Sequence, residues 1–208
     1  MNQSDFFYKI AECAEDIQDF KCTINSGDYE LANILRQKNY VFVDRTVKVS
    51  IPLKASTDFK KFCRLEIEES QLNARIAEIA KENFVEDVRF FVSFPPKFDT
   101  GLLEDYLSQM KTCYVCHCKD EIAGFIEVVE IVDKNKKWGG VIRLAAVDAK
   151  YRLSGAALSL YAGVADLFKQ KNFRKIEGRV SCRNMPALNL YGSLGATFSG
   201  PLDIYIRS

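Results

Sequence analysis

The sequence predicts a mixed α/β fold, a sheet with helices packed on it. Three observations carry that prediction. Segments of alternating apolar residues and segments of helical apolar spacing succeed one another along the chain. A strand ending near Val147 feeds through a short turn of small residues into a long amphipathic helix, and the next strand, Lys175 to Cys182, runs into a second helix in the same way.

Taken in order, Phe20 to Asn25 reads as a short strand, and Asp28 to Lys38 carries Leu31, Ile34 and Leu35 at helical spacing. Tyr40 to Leu53 follows as a strand in which Val41, Val43, Val47, Val49 and Ile51 recur at mostly alternate positions. Pro52 through Lys61 is polar and reads as a connection, which divides the chain into residues 1–61, a strand-helix-strand region, and 62–208. The pattern restarts at Cys63 with a half-buried strand, then a helix whose stripe is Leu72, Ile76, Ile79 and Ala80, with Phe84 extending it. Phe90 to Leu103 is aromatic, proline-bearing and irregular, the kind of loop that often carries binding residues, and a helix LLEDYLSQM succeeds it. A hairpin turning at Lys119 to Glu121, a further turn at Lys134 to Gly140 and a strand GVIRLAAV complete the approach to Val147.

Bulk properties exclude several classes. With 29 basic and 28 acidic residues the formal charge is +1, so no long-range field draws the chain to nucleic acid or an anionic membrane. No apolar run approaches the roughly 20 residues of a membrane helix, and the N-terminus lacks the basic-then-apolar order of a signal peptide; a cytoplasmic location is expected. Seven cysteines, an odd number, argue for reduced thiols. Cys113, Cys116, His117 and Cys118 have the look of a haem or zinc motif, but no second ligand pair follows, and the segment reads as a strand with buried thiols; no metal is expected.

The informative constellation lies after Val147. Arg152-Leu153-Ser154-Gly155-Ala156-Ala157 fits R/Q-x-x-G-x-G/A at the start of a helix, with Ser154 as its expected cap and Ala157, Leu160, Tyr161, Val164, Leu167 and Phe168 as its buried stripe. Main-chain N–H groups at a helix N-terminus offer unsatisfied donors and a positive dipole to a pyrophosphate, and small residues let that backbone come close. In the second unit Pro186 suits a first helical turn, Ala187, Leu190, Tyr191 and Leu194 form the stripe, and Gly195 sits where a C-terminal cap belongs.

Together, VDAKYRLSGAALSLYAGVADLF and IEGRVSCRNMPALNLYGSLGATF resemble the GNAT acetyltransferase superfamily pattern, V-x-x-x-x-R-x-x-G-x-G/A followed by N-x-x-A-x-x-x-Y-x-x-x-G-A/F. The resemblance implies a GNAT fold, acetyl-CoA as donor and an amine as acceptor. It implies that Arg152, Leu153, Ser154, Gly155, Ala156 and Ala157 meet the pyrophosphate. Leu144, Ala145, Ala146 and Val147 would offer backbone groups to the acetyl and pantetheine amides, Asn184 and Ala187 would touch the pantetheine arm, and Tyr191 would face the thioester sulfur. Acyl transfer to an amine needs an oxyanion stabilised, a proton taken from nitrogen and one given to sulfur. Backbone N–H groups serve the first, and Tyr191, a phenol with an ordinary pKa of about 10, is the candidate acid. Glu127 and Glu130 lie on opposite faces of one strand; Glu130 is preferred as base, with water as the alternative.

INSGDYELANILRQKNYVFVDRTVKVSIPL, the aromatic loop and the ending PLDIYIRS look like the TDP-fucosamine acetyltransferase family, in which a partial strand-helix-strand unit precedes a GNAT domain. That implies a nucleotide-linked deoxyamino sugar as acceptor, with Phe91, Phe94, Lys97 and Phe98 lining its site. Two other readings stay open, a protein or polyamine acetyltransferase with an acidic acceptor groove, and a non-catalytic acyl-CoA-binding module. The oligomeric state is open between monomer and homodimer.

Overall fold

The computed structural model describes residues 8–54, 56–132 and 138–208. The turn expected at Lys134 to Gly140 lies for most of its length outside them. Among the described residues eight strands form one sheet: β1 (Lys21–Asn25), β2 (Tyr40–Pro52), β3 (Ile67–Ser70), β4 (Cys113–Cys118), β5 (Glu121–Val132), β6 (Trp138–Val147), β7 (Lys175–Ser181) and β8 (Thr197–Arg207). Their order is β1-β8-β2-β7-β6-β5-β4-β3, antiparallel throughout except for the β6–β7 pair. The helices are α1 (Tyr29–Gln37), α2 (Ala74–Asn83), α3 (Thr100–Ser108), α4 (Ala156–Gln170) and α5 (Met185–Ser193). Among the described residues no helix is long and apolar enough to cross a membrane.

The described part of residues 1–61 shares this sheet. β2 is inserted between β7 and β8, and β1 forms the edge beyond β8. Asp28, Asn73 and Asp99 cap α1, α2 and α3, each accepting a main-chain N–H three residues on, at 3.0 Å in every case. The strand expected from Cys63 begins only at Ile67, because the Arg64 and Leu65 N–H groups both donate to Ser159 Oγ on α4 at 2.8 Å and are lost to the ladder.

Among the described residues there are three hydrophobic clusters, one of them between α1 and the β1 edge, and the two larger ones sandwich the sheet. In one, Leu160, Val164 and Phe168 of α4, Tyr191 of α5 and its C-cap Leu194 pack with Val49, Ile51 and Ile176. In the other, Ile76 and Ile79 of α2 and Leu103 and Leu107 of α3 pack with Phe125 and Leu144. Each fully buried side chain of this size contributes about 1.5–3 kcal/mol. Close contact of α4 with β3 depends on Gly163, where an added Cβ would stand 2.4 Å from Ile67 Cγ1. Cys113 and Cys116 lie buried in these cores, and burial pushes their thiols up to about 12 and about 11.

Candidate functional site

The two parallel strands part company. β6 and β7 pair only at Gly139↔Lys175, Gly140↔Ile176 and Val141↔Glu177. Beyond that, β6 continues along β5 as far as Val147, and β7 continues along β2 as far as Ser181. The divergence starts at a β-bulge: Val128 pairs with Ile142 and Glu127 with Leu144, so Arg143 is the extra residue of β6. An inserted residue bends its strand and re-aims its side chain. A cavity of about 880 Å³ fills the opening. It touches Ile142, Ala145, Tyr161 and Tyr191 from the α4–α5 side and Phe84 and Leu144 from the α2–α3 side, so it passes through the sheet.

On the α4–α5 side, the turn after β6 is a one-turn 3-10 helix, Ala149–Tyr151, held at both ends of α2. Arg75 ion-pairs with Asp148, and Arg152 Nη2 donates to Asn83 Oδ1 at 3.0 Å. Gly155, not the expected Ser154, is the N-cap of α4. Its φ of +81° is a left-handed conformation that suits glycine, and it brings no side-chain cap. Ser154 instead donates to Tyr151 O at 2.7 Å and accepts from the Ala156 N–H at 3.3 Å. Nothing lies within 4 Å of a Cβ built on Gly155. A 15-residue helix thus begins at an exposed turn with only its Ala156 N–H met by a side chain among the described residues, that of Ser154, which fits a diphosphate. Leu153 is fully exposed beside it.

Asn184 caps α5 by accepting the Ala187 N–H at 3.1 Å, which commits its oxygen and leaves its amide N–H groups for the cavity it lines. Tyr191 is buried with its ring edge-on to Tyr161, centroids 5.4 Å apart. Its hydroxyl lies 3.4 Å from where a Cβ on Gly178 would stand, and Gly178 is the first β7 residue past the last pair with β6. Burial pushes the Tyr161 phenol up to about 12 against its hydrogen bond with Tyr191, and raises Tyr191 well above the ordinary value, so both are protonated at neutral pH.

On the α2–α3 side the wall carries charge. Asp87 and Arg89 form an ion pair with Nη2–Oδ2 2.6 Å, and Arg89 Nη1 donates to Arg143 O at 3.0 Å. Burial disfavours both charges, but their mutual attraction and hydrogen bonds outweigh it, raising Arg89 and lowering Asp87. Arg143 Nη1 donates to Glu127 Oε1 at 3.1 Å, and burial raises Glu127 despite that guanidinium. β2 supplies Asp44, raised by burial against hydrogen bonds from Ser181 Oγ and the Arg45 N–H, both 2.8 Å.

Of the residues singled out from sequence, Leu144, Ala145, Asn184, Ala187, Tyr191, Phe91 and Phe94 line the cavity. Arg152 to Ala157 form the turn at the start of α4, outside that lining, while Ala146 and Val147 are buried in the two cores. Lys97 is exposed and away from the lining, and Phe98 packs edge-on to Phe90, 6.3 Å between centroids. Glu130 is exposed and pairs with Gly140, where β6 and β7 are still joined; Glu127 is the buried carboxylate and stands opposite Leu144, where they have parted. Sequence reasoning missed Asp44, Asn83, Arg89 and Arg143 as wall residues, and no local spacing signals them.

A model of the acetyltransferase (GNAT) family matches residues 74–196. No curated protein matches the sequence. Among solved structures, the fold is similar to a conserved protein of unknown function from Staphylococcus epidermidis, with TM-score 0.61 and 13% identity over 90% of this chain and 72% of that one. It is similar also to a GCN5-related N-acetyltransferase from Anabaena variabilis, with TM-score 0.60 and 14% identity over 93% and 46% of the two chains. A GCN5-related N-acetyltransferase from Sphaerobacter thermophilus gives 0.55 and 16% over 89% and 59%. The chain thus spans about half the length of these two acetyltransferases.

Proposed function

The chain belongs to the GNAT acetyltransferase family, enzymes that take their acyl group from acetyl-CoA, and from that premise we propose that it acetylates a primary amine on a small molecule. The observation that carries this reading is the cavity through the split between β6 and β7, with a diphosphate-ready helix start on one side and a mixed polar and aromatic wall on the other.

Acetyl-CoA supplies the activated acetyl group. The protein's own contributions are separable. The N–H groups opening α4, with Arg152 steadied by Asn83, hold the diphosphate. The backbone of Leu144 and Ala145, past the last β7 partner, provides donors for negative charge developing on the acyl oxygen. Tyr191 keeps its proton over the accessible pH range and gives it to the leaving sulfur. Water at the mouth of the cavity receives the amine proton; Glu130, exposed at the joined end of the strands, does not line that cavity.

The finer proposal is that the acceptor is the amino group of a nucleotide-linked deoxyamino sugar. Phe91 and Phe94 offer aromatic faces to a ring, and β2, from residues 1–61, forms part of the same wall. Arg89, Arg143, Arg179 and Arg183 line the cavity beside Asp44, Glu86 and Asp87. That mixture is not the acidic groove a polyamine calls for. Release of free thiol from acetyl-CoA, followed across nucleotide-linked amino sugars, simple amino sugars and polyamines, tests both levels. Turnover with none of them, together with no heat on titrating acetyl-CoA, rejects the reading.

A further inference from the structure

Arg143 is the bulged residue of β6 and the last side chain before the backbone at Leu144 and Ala145. Its side chain is 14% exposed and lines the cavity. Three contacts fix it from behind. Nη1 holds Glu127 Oε1 at 3.1 Å, Nε donates to Tyr106 Oη at 3.3 Å, and the Tyr106 ring lies 4.3 Å from the guanidinium carbon. Tyr106 also contacts Arg89 through its ring, and Arg89 takes the Arg143 carbonyl, so backbone and side chain are both braced. Nη2, the end of the fork left over, has no partner among the described residues.

A guanidinium held so firmly, with Nη2 left for a ligand, suits an anion, to which it can give charge-assisted hydrogen bonds. Glu127 is the reason the charge can be kept at this depth: it stands behind Arg143, 3% exposed, and outside the lining of the cavity. Its second oxygen is buried with no hydrogen-bond partner among the described residues, so the side-chain hydrogen bond that holds it there is the one from Arg143. Of the carboxylates that do line the wall, Asp87 is engaged with Arg89 and Asp44 with Ser181, and Glu86 is exposed to solvent.

We propose that Arg143 binds an anionic group, a carboxylate or a phosphate, carried by the amine acceptor itself. Glu127 and Tyr106 are positioning residues for it. The inference rests on the acetyltransferase reading and deepens it, because the place of Arg143 in the chain sets a distance. An arginine side chain reaches about 6–7 Å from its Cα, roughly the span of two strand residues, and its Cα adjoins the backbone that serves the acyl oxygen. The anion therefore sits a few bonds from the reacting nitrogen, as in a β-amino acid, an aminoalkyl phosphate or an amino-sugar phosphate, and not at the far end of a long chain.

The test compares matched acceptors, 2-aminoethanol against β-alanine and O-phosphoethanolamine, and glucosamine against glucosamine 1-phosphate. Each is titrated calorimetrically into CoA-loaded protein and assayed for thiol release. Wild type is expected to favour the anionic member of a pair by about 10–100-fold, the value of a hydrogen-bonded charge. The two anionic arms distinguish carboxylate from phosphate. The double variant Arg143→Met/Glu127→Gln, which leaves no lone buried charge, is expected to lose that preference while its affinity for acetyl-CoA is unchanged. Arg143→Lys, a point charge without the fork, is expected to keep part of it. Equal binding of neutral and anionic members by wild type, or full discrimination in the double variant, overturns the proposal. Failure to bind CoA would count against the acetyltransferase reading instead, and the same acceptor titrations on unloaded protein then decide the anion site by themselves.

Discussion

β7 has two unlike neighbours. Along β2 it is paired from Lys175 to Ser181, whereas β6 leaves it after Glu177. Fraying of a weak strand end would loosen both sides together. Here one side stays intact over the same residues, and the opposite strand diverges at a bulge, so the opening is built by β6 while β7 serves as a rigid jamb. What lies along the opening differs in the same way. Its α4–α5 side is made of main-chain groups, glycine and alanine, and two protonated phenols; its α2–α3 side is made of paired charges and aromatic rings. A donor common to a whole family can be held by backbone, but an acceptor particular to one enzyme has to be recognised by side chains.

The sharpest way to break this division of labour is at Tyr191. Tyr191→Phe keeps the edge-on contact with Tyr161 and removes the hydroxyl, with its proton and its hydrogen bond to Tyr161, so turnover should fall by about 10²–10⁴-fold. Acetyl-CoA affinity should hardly move. Because burial raises its pKa, wild-type turnover should show no alkaline loss from Tyr191 within the working range. A steady-state pH profile with unchanged turnover in the variant would remove Tyr191 from the chemistry.

Next in size is the closed side of β7. Ile51 is 1% exposed in the core beneath β2 and β7. Ile51→Ala should cost about 2–5 kcal/mol of stability. If β2 belongs to the same cooperative unit as the strands that follow, denaturant unfolding should shift as one transition, by fluorescence and circular dichroism alike. Two separated transitions would show that residues 1–61 fold on their own.

On the donor side, Gly155→Ala should cost about 1–2 kcal/mol through the left-handed backbone alone, since the new methyl would meet nothing within 4 Å. The calorimetric Kd for acetyl-CoA should rise by up to about tenfold, matching that strain. An unaltered Kd would place the diphosphate elsewhere than at the start of α4.

The same contrast governs what could be read in the sequence. The residues proposed for the donor side could be singled out because they are local: Arg152 to Ala157 fall within one turn, and Asn184 to Tyr191 within one helix and its N-cap. The misplacement of the cap by one residue, Ser154 for Gly155, is the ordinary uncertainty of a helix boundary. The acceptor side draws Asp44 from β2, Arg89 from the loop before α3 and Arg143 from β6, and no spacing links them. Strand alternation correctly set Glu127 and Glu130 on opposite faces, yet only the register with β6 tells which stands at the open end. The insertion of β2 between β7 and β8 is likewise a long-range pairing, invisible to periodicity.

The smallest effect probes how β1 is tied to the acceptor wall. Lys21 Nζ donates to Arg89 O at 2.6 Å, and burial lowers its pKa from 10.5 to about 8, partly opposed by Asp87. A lysine whose folded pKa is depressed binds fewer protons folded than unfolded between those two values. Stability should therefore rise with pH from about 8 to about 10.5, and the contribution should be lost as pH falls through about 8. One proton sets a ceiling of about 1.4 kcal/mol per pH unit, or roughly 3–6 °C in Tm for a chain of this size. Thiols and phenols titrate in the same window, so the readout is the difference from Lys21→Met, which cannot titrate. If melting curves of the two proteins run parallel from pH 8 to 10.5, Lys21 is solvated rather than buried, and the charged wall is anchored to β1 by the backbone alone.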